Sequence, residues 1–254
     1  CAVTVNTPAP AHTHDGITFA AWESSNSLPT VEGNYYLTGN VSVDNWDVPE
    51  GTTRLCLNGN TITANKHFYI PSGHTLEIYA EEGGSINANY RVGSMFWVNG
   101  GRLVLNGGTI NGNVSTAGIV DIAANAEFIM NGGKITGTST GRYDASVIRF
   151  TGSNGTFTMT GGEISGTTTR GGVTYFASTD VTINISGSVI IDGNTLESGK
   201  TQNLYLPSGV IVNIVGALDS DASIGVTMHT PGVFTSGNAA ACIDSFTSDD
   251  SNYK

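Results

Sequence analysis

The sequence predicts an all-β fold: a right-handed single-stranded parallel β-helix, a solenoid of about seven coils with an N-terminal cap. Three observations carry that expectation: a composition that favours strands and turns, a repeat close to 25 residues long, and three short alternating strands inside each repeat. Of 254 residues 34 are Gly and only 12% are charged, with Ser, Thr and Asn abundant, which disfavours long helices. Five segments share one pattern: Leu55-Cys56-Leu57-Asn58-Gly59-Asn60-Thr61-Ile62, Gly83-Gly84-Ser85-Ile86, Leu105-Asn106-Gly107-Gly108-Thr109-Ile110, Met130-Asn131-Gly132-Gly133-Lys134-Ile135 and Met159-Thr160-Gly161-Gly162-Glu163-Ile164. Their isoleucines recur after 24, 24, 25 and 29 residues, and Ile190 follows 26 later, one solenoid coil per repeat.

Within a repeat, Val120-Asp121-Ile122, Phe128-Ile129-Met130 and Lys134-Ile135-Thr136 exemplify the three strands, each with period-2 alternation and bounded by short Gly, Asn or Ala turns. The unit is too short for a four-stranded propeller blade and lacks the helical half of a leucine-rich repeat. Stacking then places Ile62, Ile86, Ile110, Ile135 and Ile164 in one inward column, and Leu57, Ile78, Leu105, Met130 and Met159 in another. Asn58, Asn106 and Asn131 share a turn where side-chain amides bond from coil to coil, and the Gly pairs after them supply positive φ.

Residues 1–45 read as an N-terminal arm and cap, 46–228 as the parallel β-helix, and 229–254 as a C-terminal tail or the start of a next domain. The cap is needed because an open solenoid end exposes strand edges. It holds Ile17-Thr18-Phe19-Ala20-Ala21-Trp22, read as a short helix, and the strand-like Tyr35-Tyr36-Leu37.

With 21 acidic against 10 basic residues the formal net charge is -11, so nucleic acid and anionic membrane surfaces are poor partners. No run approaches the roughly 20 apolar residues of a membrane span. Cys1, Cys56 and Cys242 have no metal-ligand or CxxC spacing, and no cofactor is expected. Cys1 reads as the boundary of a segment in preference to a lipidated start. Leu55 and Leu57 point inward, which turns the Cys56 thiol outward in line with Glu77 and Val104. A surface thiol outside the cell is a liability, so a Cys1 to Cys56 disulfide is expected, tying the arm to the first coil.

Three constellations compete for a function. On the first strand of each coil, alternation turns Phe68 and Ile70, Phe96 and Val98, Val120 and Ile122, Ile148 and Phe150, and Leu204 and Leu206 inward. Tyr69, Trp97, Asp121, Arg149, Tyr175 and Tyr205 then face solvent as a ribbon of rings around a charged pair. Such a ribbon suits sugar stacking or a protein hot spot, and equally suits plain cross-coil packing. His12, His14 and Asp15 have the residue types of a metal clamp, but the same residues anchor a cap turn, and no metal is assigned. The outward Thr61, Thr63, Ser85, Asn87, Thr109 and Asn111 make a flat hydroxyl and amide array of the kind that orders ice-like water, interrupted by Lys134 and Glu163.

The chain resembles the pectin-lyase-like β-helix superfamily, and within it extracellular repeat proteins and adhesins of gut Firmicutes. The resemblance rests on His12-Thr13-His14-Asp15-Gly16-Ile17-Thr18-Phe19 with Trp22, on Gly33-Asn34-Tyr35-Tyr36-Leu37-Thr38, on Leu55-Cys56-Leu57-Asn58-Gly59 and on Ala222-Ser223-Ile224-Gly225-Val226. It implies export by a bacterium and an extracellular, cell-surface location. It implies no reaction, because one fold hosts many functions. The polygalacturonase-like pattern of paired Asp with Gly-His-Gly and Arg-x-Lys does not occur, and the sole Asp-Asp, Asp249-Asp250, lies in the tail. The expected function is therefore a non-catalytic adhesin or binding segment, a monomeric part of a larger protein, that engages a host or dietary glycan or a host glycoprotein. A β-helix polysaccharide lyase or hydrolase is the alternative, and an ice-binding protein a third.

Overall fold

The computed structural model describes residues 12–80, 83–89, 93–114, 116–237 and 243–250; Cys1 and Cys242, and with Cys1 the expected disulfide, lie outside them. Among the described residues the chain is all-β, with helix confined to a 3-10 turn at Ile243–Ser245. Parallel strands stack into a β-solenoid of about 8 turns, slightly more than the sequence count. Strands Gly33–Leu37 and Val41–Val43 already pair in parallel with Gly51–Cys56 and Thr61–Ala64. At the other end Thr235–Gly237 and Phe246–Ser248 stack on Val212–Leu218 and Ser223–Met228. These outer strands carry no Gly-Gly-x-Ile signature, so counting the signature misses them.

The isoleucine column forms as expected: Ile62, Ile86, Ile110, Ile135 and Ile164 are register partners in succession, and all five are at most 1% exposed. It continues at Ile191 rather than Ile190, because the ladder slips between Met159 and Gly161 and sets Ile190 opposite Glu163. A one-residue slip exchanges the faces of a strand, so the bulge decides which of two adjacent isoleucines is core. The second column begins with Leu55, which pairs with Ile78 and leads to Leu105, Met130 and Met159. Leu57 is buried by a different route, against Gly84 and Gly108, where a Cβ would come within 2.8 Å of its side chain.

The asparagine turn is likewise divided. Asn131 Nδ2 donates to Asn106 Oδ1 at 2.8 Å, and Thr160 Oγ1 donates onward to Asn131 Oδ1 at 2.9 Å. Asn58 stands apart with φ 47 and donates to the Leu37 carbonyl at 3.0 Å. The two glycines that follow Asn131 serve overlapping needs. Gly133 has φ 79, while at Gly132 a Cβ would lie 2.8 Å from the Asn106 carbonyl oxygen. Both glycines answer the closeness of the coil below, since a Cβ at Gly133 would lie 2.6 Å from the Gly108 carbonyl oxygen, and Gly133 answers a backbone angle as well.

The segment read as a helix is a strand. Strand β1 (His12–His14) pairs antiparallel with β2 (Ile17–Trp22), with His14 opposite Ile17. Between them Asp15 and Gly16 have φ 50 and 78, the two positive angles of a type I′ hairpin turn that Asp-Gly favours. The end of β2 then runs parallel to Tyr35–Leu37, so the hairpin hangs from the first coil.

If the isoleucine column carries the stack, Ile110→Ala should lower unfolding free energy by about 2–5 kcal/mol. Thr109→Ala, one residue away on the outer face, should change it by about 0.5 kcal/mol or less. Urea denaturation of both variants checks the pair.

Candidate functional site

The first strands of the coils form their own parallel sheet, Trp46–Asp47, Phe68–Pro71, Phe96–Asn99, Val120–Ile122, Ile148–Phe150 and Thr174–Phe176. Its inner face is dry: Phe68, Ile70, Phe96, Val98, Val120, Ile122, Ile148 and Phe150 are all 0% exposed. Register places Asp47, Tyr69, Trp97, Asp121, Arg149 and Tyr175 in one outer column. Tyr205 joins its end through the neighbouring residue, since Thr174 Oγ1 donates to the Tyr205 carbonyl at 2.7 Å. The ribbon residues thus share a face, but they do not form one exposed surface.

At one end, Trp97 is 40% exposed and its ring centroid lies 4.8 Å from that of Tyr69. Asn99 Nδ2 donates to the Tyr69 hydroxyl at 3.0 Å, and the His67 ring meets the indole edge-on with centroids 6.0 Å apart. The result is an aromatic step with polar groups at its rim. At the other end Tyr175 is half-buried beside Tyr143, whose ring is 67% exposed. Tyr205 points its hydroxyl at His229 Nδ1, 3.3 Å away.

Asp121, expected to face solvent, is buried at 4% exposure. Alternation does direct it outward, but the segment Arg142–Asp144 and the amide of Gly118 close over it. Arg149 grips it with two bonds, Nε to Oδ1 at 3.0 Å and Nη2 to Oδ2 at 2.5 Å. The same guanidinium donates from Nη1 to Asp144 Oδ2 at 2.9 Å, and Gly118 N–H donates to Asp121 Oδ1 at 2.9 Å. Burial pushes the Asp121 carboxyl above the usual carboxylate range, against the pull of Arg149 and Gly118. Burial also works against the Arg149 cation, yet its bonds and charges with Asp121 and Asp144 raise it on balance. The bidentate geometry holds the pair ionised. The charged centre of the ribbon is therefore a buried ion triad, which braces two adjacent coils and separates the two aromatic ends.

The cap residues come together elsewhere. Alternation puts His12 and His14 on the same face of β1, across from Phe19 and Ile17 on β2, and the hairpin lays that face over strand Gly51–Cys56. Cys56, expected as a surface thiol in line with Glu77 and Val104, is 0% exposed and in register with Tyr36 and Tyr79. It does point away from the solenoid core; the hairpin covers it, forming a second small core with Phe19 and Tyr79. The two His Nε2 atoms are 3.0 Å apart, and both lie with the Cys56 thiol in a cluster whose donor atoms are within 4.8 Å of one another. Asp15, the third member of the clamp weighed from sequence, is exposed in the turn and outside the cluster.

The chain matches no family model, no curated protein and no solved structure. Chemistry at the two clusters must accordingly be read from their own geometry. The hairpin pocket is enclosed by rings: His12 stacks on Tyr36 at 4.5 Å, and His14 lies 5.2 Å from Tyr79. Burial, then a hydrogen bond to Glu77, pushes the Tyr79 phenol up to about 12. The residues sequence reasoning passed over are Cys56 as a partner of the histidines and Tyr143 as a partner of Tyr175. For the first, a signal was present: His-x-His followed by Asp-Gly reads as a hairpin with both imidazoles on one face.

Because Asp121 is paired with Arg149 alone, whereas Asp144 also has Arg142, Arg149→Ala should cost about 3–5 kcal/mol of stability, as expected when a buried charge loses its partner. Adding Asp121→Asn to that variant should recover a substantial part, since the uncompensated carboxylate is then gone. Chemical denaturation of the wild type and both variants measures the coupling.

Proposed function

We propose that the chain is a non-catalytic binding segment of a bacterial surface protein, one that engages a host or dietary glycan or a host glycoprotein. The observation that carries this reading is the Trp97–Tyr69 step. Trp97 lies between Phe96 and Val98, both 0% exposed, yet leaves 40% of itself in solvent. A large exposed indole with amide and imidazole neighbours is the arrangement that takes an apolar sugar face or a partner's hot-spot residue. The solenoid supplies rigidity, because Tyr69 and Trp97 sit on strands hydrogen-bonded on both sides, so little ordering is required on binding.

The adhesin-like resemblance and the extracellular location belong to the same proposal. A lyase or hydrolase would need a carboxylate free to exchange a proton with a sugar. In this column Asp121 is committed to Arg149, as is the neighbouring Asp144, and Asp47 beside Tyr69 is the one exposed carboxylate; a hydrolase uses two, which favours the binding reading. The ice-binding alternative is weakened on the third strand, where Lys134 Nζ and Glu163 Oε1 form an ion pair at 2.8 Å inside the hydroxyl array.

A glycan and glycoprotein array, with Trp97→Ala alongside the wild type, tests the proposal. The variant should lose about 1 kcal/mol of stability, the worth of the aromatic pair with Tyr69, and should bind its best array ligand about 30-fold more weakly. Unchanged affinity would move the site off the ribbon. Reducing ends or unsaturated products from pectins or mucins, lost in Arg149→Ala but not in Trp97→Ala, would replace the binding reading with the enzymatic one.

A further inference from the structure

We propose that His12, His14 and Cys56 form a binding site for a closed-shell thiophilic metal ion, Zn2+ or Cu+, that pins the N-terminal hairpin to the first coils. The site is distinct from the aromatic ribbon and independent of the function proposed for it.

The donor set argues for the ion class. One thiolate and two imidazoles, with no carboxylate in the cluster among the described residues, suit zinc or copper and not the hard cations that require oxygen ligands. The span argues for a single ion. Ligand bonds of about 2.05 Å to nitrogen and 2.3 Å to sulfur require donor atoms roughly 3.3–3.8 Å apart in tetrahedral or trigonal geometry. The two Nε2 atoms stand at 3.0 Å and no donor pair exceeds 4.8 Å, so rotamer adjustments of about an ångström complete the site. The backbone is already set: the I′ turn at Asp15-Gly16 fixes the register of β1 on β2, and Cys56 is fixed by pairing on both sides of its strand.

The surroundings favour occupancy. At 3.0 Å two imidazoles must share one proton between their Nε2 atoms, an arrangement a metal ion replaces with two stronger bonds. Phe19, Tyr36 and Tyr79 pack against the cluster, which buries the thiol and half-buries both imidazoles and so strengthens the attraction between cation and thiolate. On binding, the Cys56 S–H bond breaks and a metal–sulfur bond forms. Two metal–nitrogen bonds replace the Nε2–H···Nε2 bond, and the shared proton moves to Nδ1 of its own ring. One proton leaves per ion. With Cu+ the site is then neutral, and with Zn2+ it carries one positive charge.

Such an ion would do structural work. It links residue 12 to residue 56 across the open end of the solenoid, adding to the short Ala20–Trp22 ladder and the small core of Phe19 and Tyr79 that hold the hairpin.

The test uses the 254-residue chain, untagged, reduced and stripped of metal. Zn2+ and Cu+ are titrated separately against chromophoric chelators, and Co2+ serves as the spectroscopic probe. One ion per chain is expected, with release of one proton, a rise in Tm, and a near-ultraviolet thiolate-to-cobalt band. Cys56→Ser, which preserves size, should abolish the band and weaken binding by about 100-fold; His12→Gln and His14→Gln should each weaken it by about 10-fold. Asp15→Asn should bind as the wild type does. Tight binding of either ion alone identifies which ion the site takes. Stoichiometric binding by neither, a cobalt spectrum without the thiolate band, or a native disulfide at Cys56 would overturn the proposal; the spectrum of the wild-type chain requires no variant to fold.

Discussion

Every feature of this molecule depends on parallel coils stacking in register about 4.8 Å apart. No coil has a core of its own, because a single turn of three short strands buries its apolar side chains only against the turns above and below. The residue at a given position is therefore chosen by its equivalents. Inside, that constraint produces columns of isoleucine and the paired rings of Phe128 with Phe157 and Phe150 with Phe176, at 5.4 and 5.0 Å. Outside, it produces ladders of amides and hydroxyls, in which Asn111 bonds Asn87 and Asn131 bonds Asn106.

The same constraint governs charge. A charged side chain on an outer column has its register partners directly above and below, where a like charge would repel it. The ion pairs obey this: Arg54 faces Glu77, Arg102 faces Glu127, Lys134 faces Glu163, and Arg149 faces Asp121, each joined by a salt bridge. Three of the four are partly exposed and contribute little individually. Their effect is on register, since a slip of one residue would set these charges against uncharged, mostly apolar neighbours. The fourth differs because loops cover it, and there the same pairing becomes a buried triad whose integrity the local structure requires.

What the sequence made legible follows from this physics. The Ile62-to-Ile164 column and the inward residues of the first strand are read directly, because stacking repeats them at a nearly fixed interval. Leu57 and Ile190 were placed in columns that belong to Leu55 and Ile191. In both cases two apolar residues compete for one position, and a bulge or a turn decides between them through backbone detail that periodicity does not encode. Taken alone, the six residues Ile17–Trp22 suit a short helix, and only the Asp-Gly turn before them makes them a strand. With that turn, Ile17 and Phe19 alternate with Thr18 and Ala20 as a hairpin strand should.

Alternation fixes the direction of a side chain and says nothing of what lies over it. Cys56 and Asp121 both point away from the solenoid, and the sequence pattern accordingly places both in solvent. The structure buries both, Cys56 under the hairpin and Asp121 under Gly118 and the Arg142–Asp144 segment. Coverage comes from segments outside the repeat, whose own residues carry no periodic signal. Trp97 points outward on the same sheet as Asp121, but among the described residues no such segment closes over it, and it remains 40% exposed. In a solenoid the scaffold is thus written in the period, while chemistry is concentrated where non-repeating segments cross the outer face or leave it open. The His12, His14 and Cys56 cluster and the Tyr69–Trp97 step are the two outcomes of that one choice.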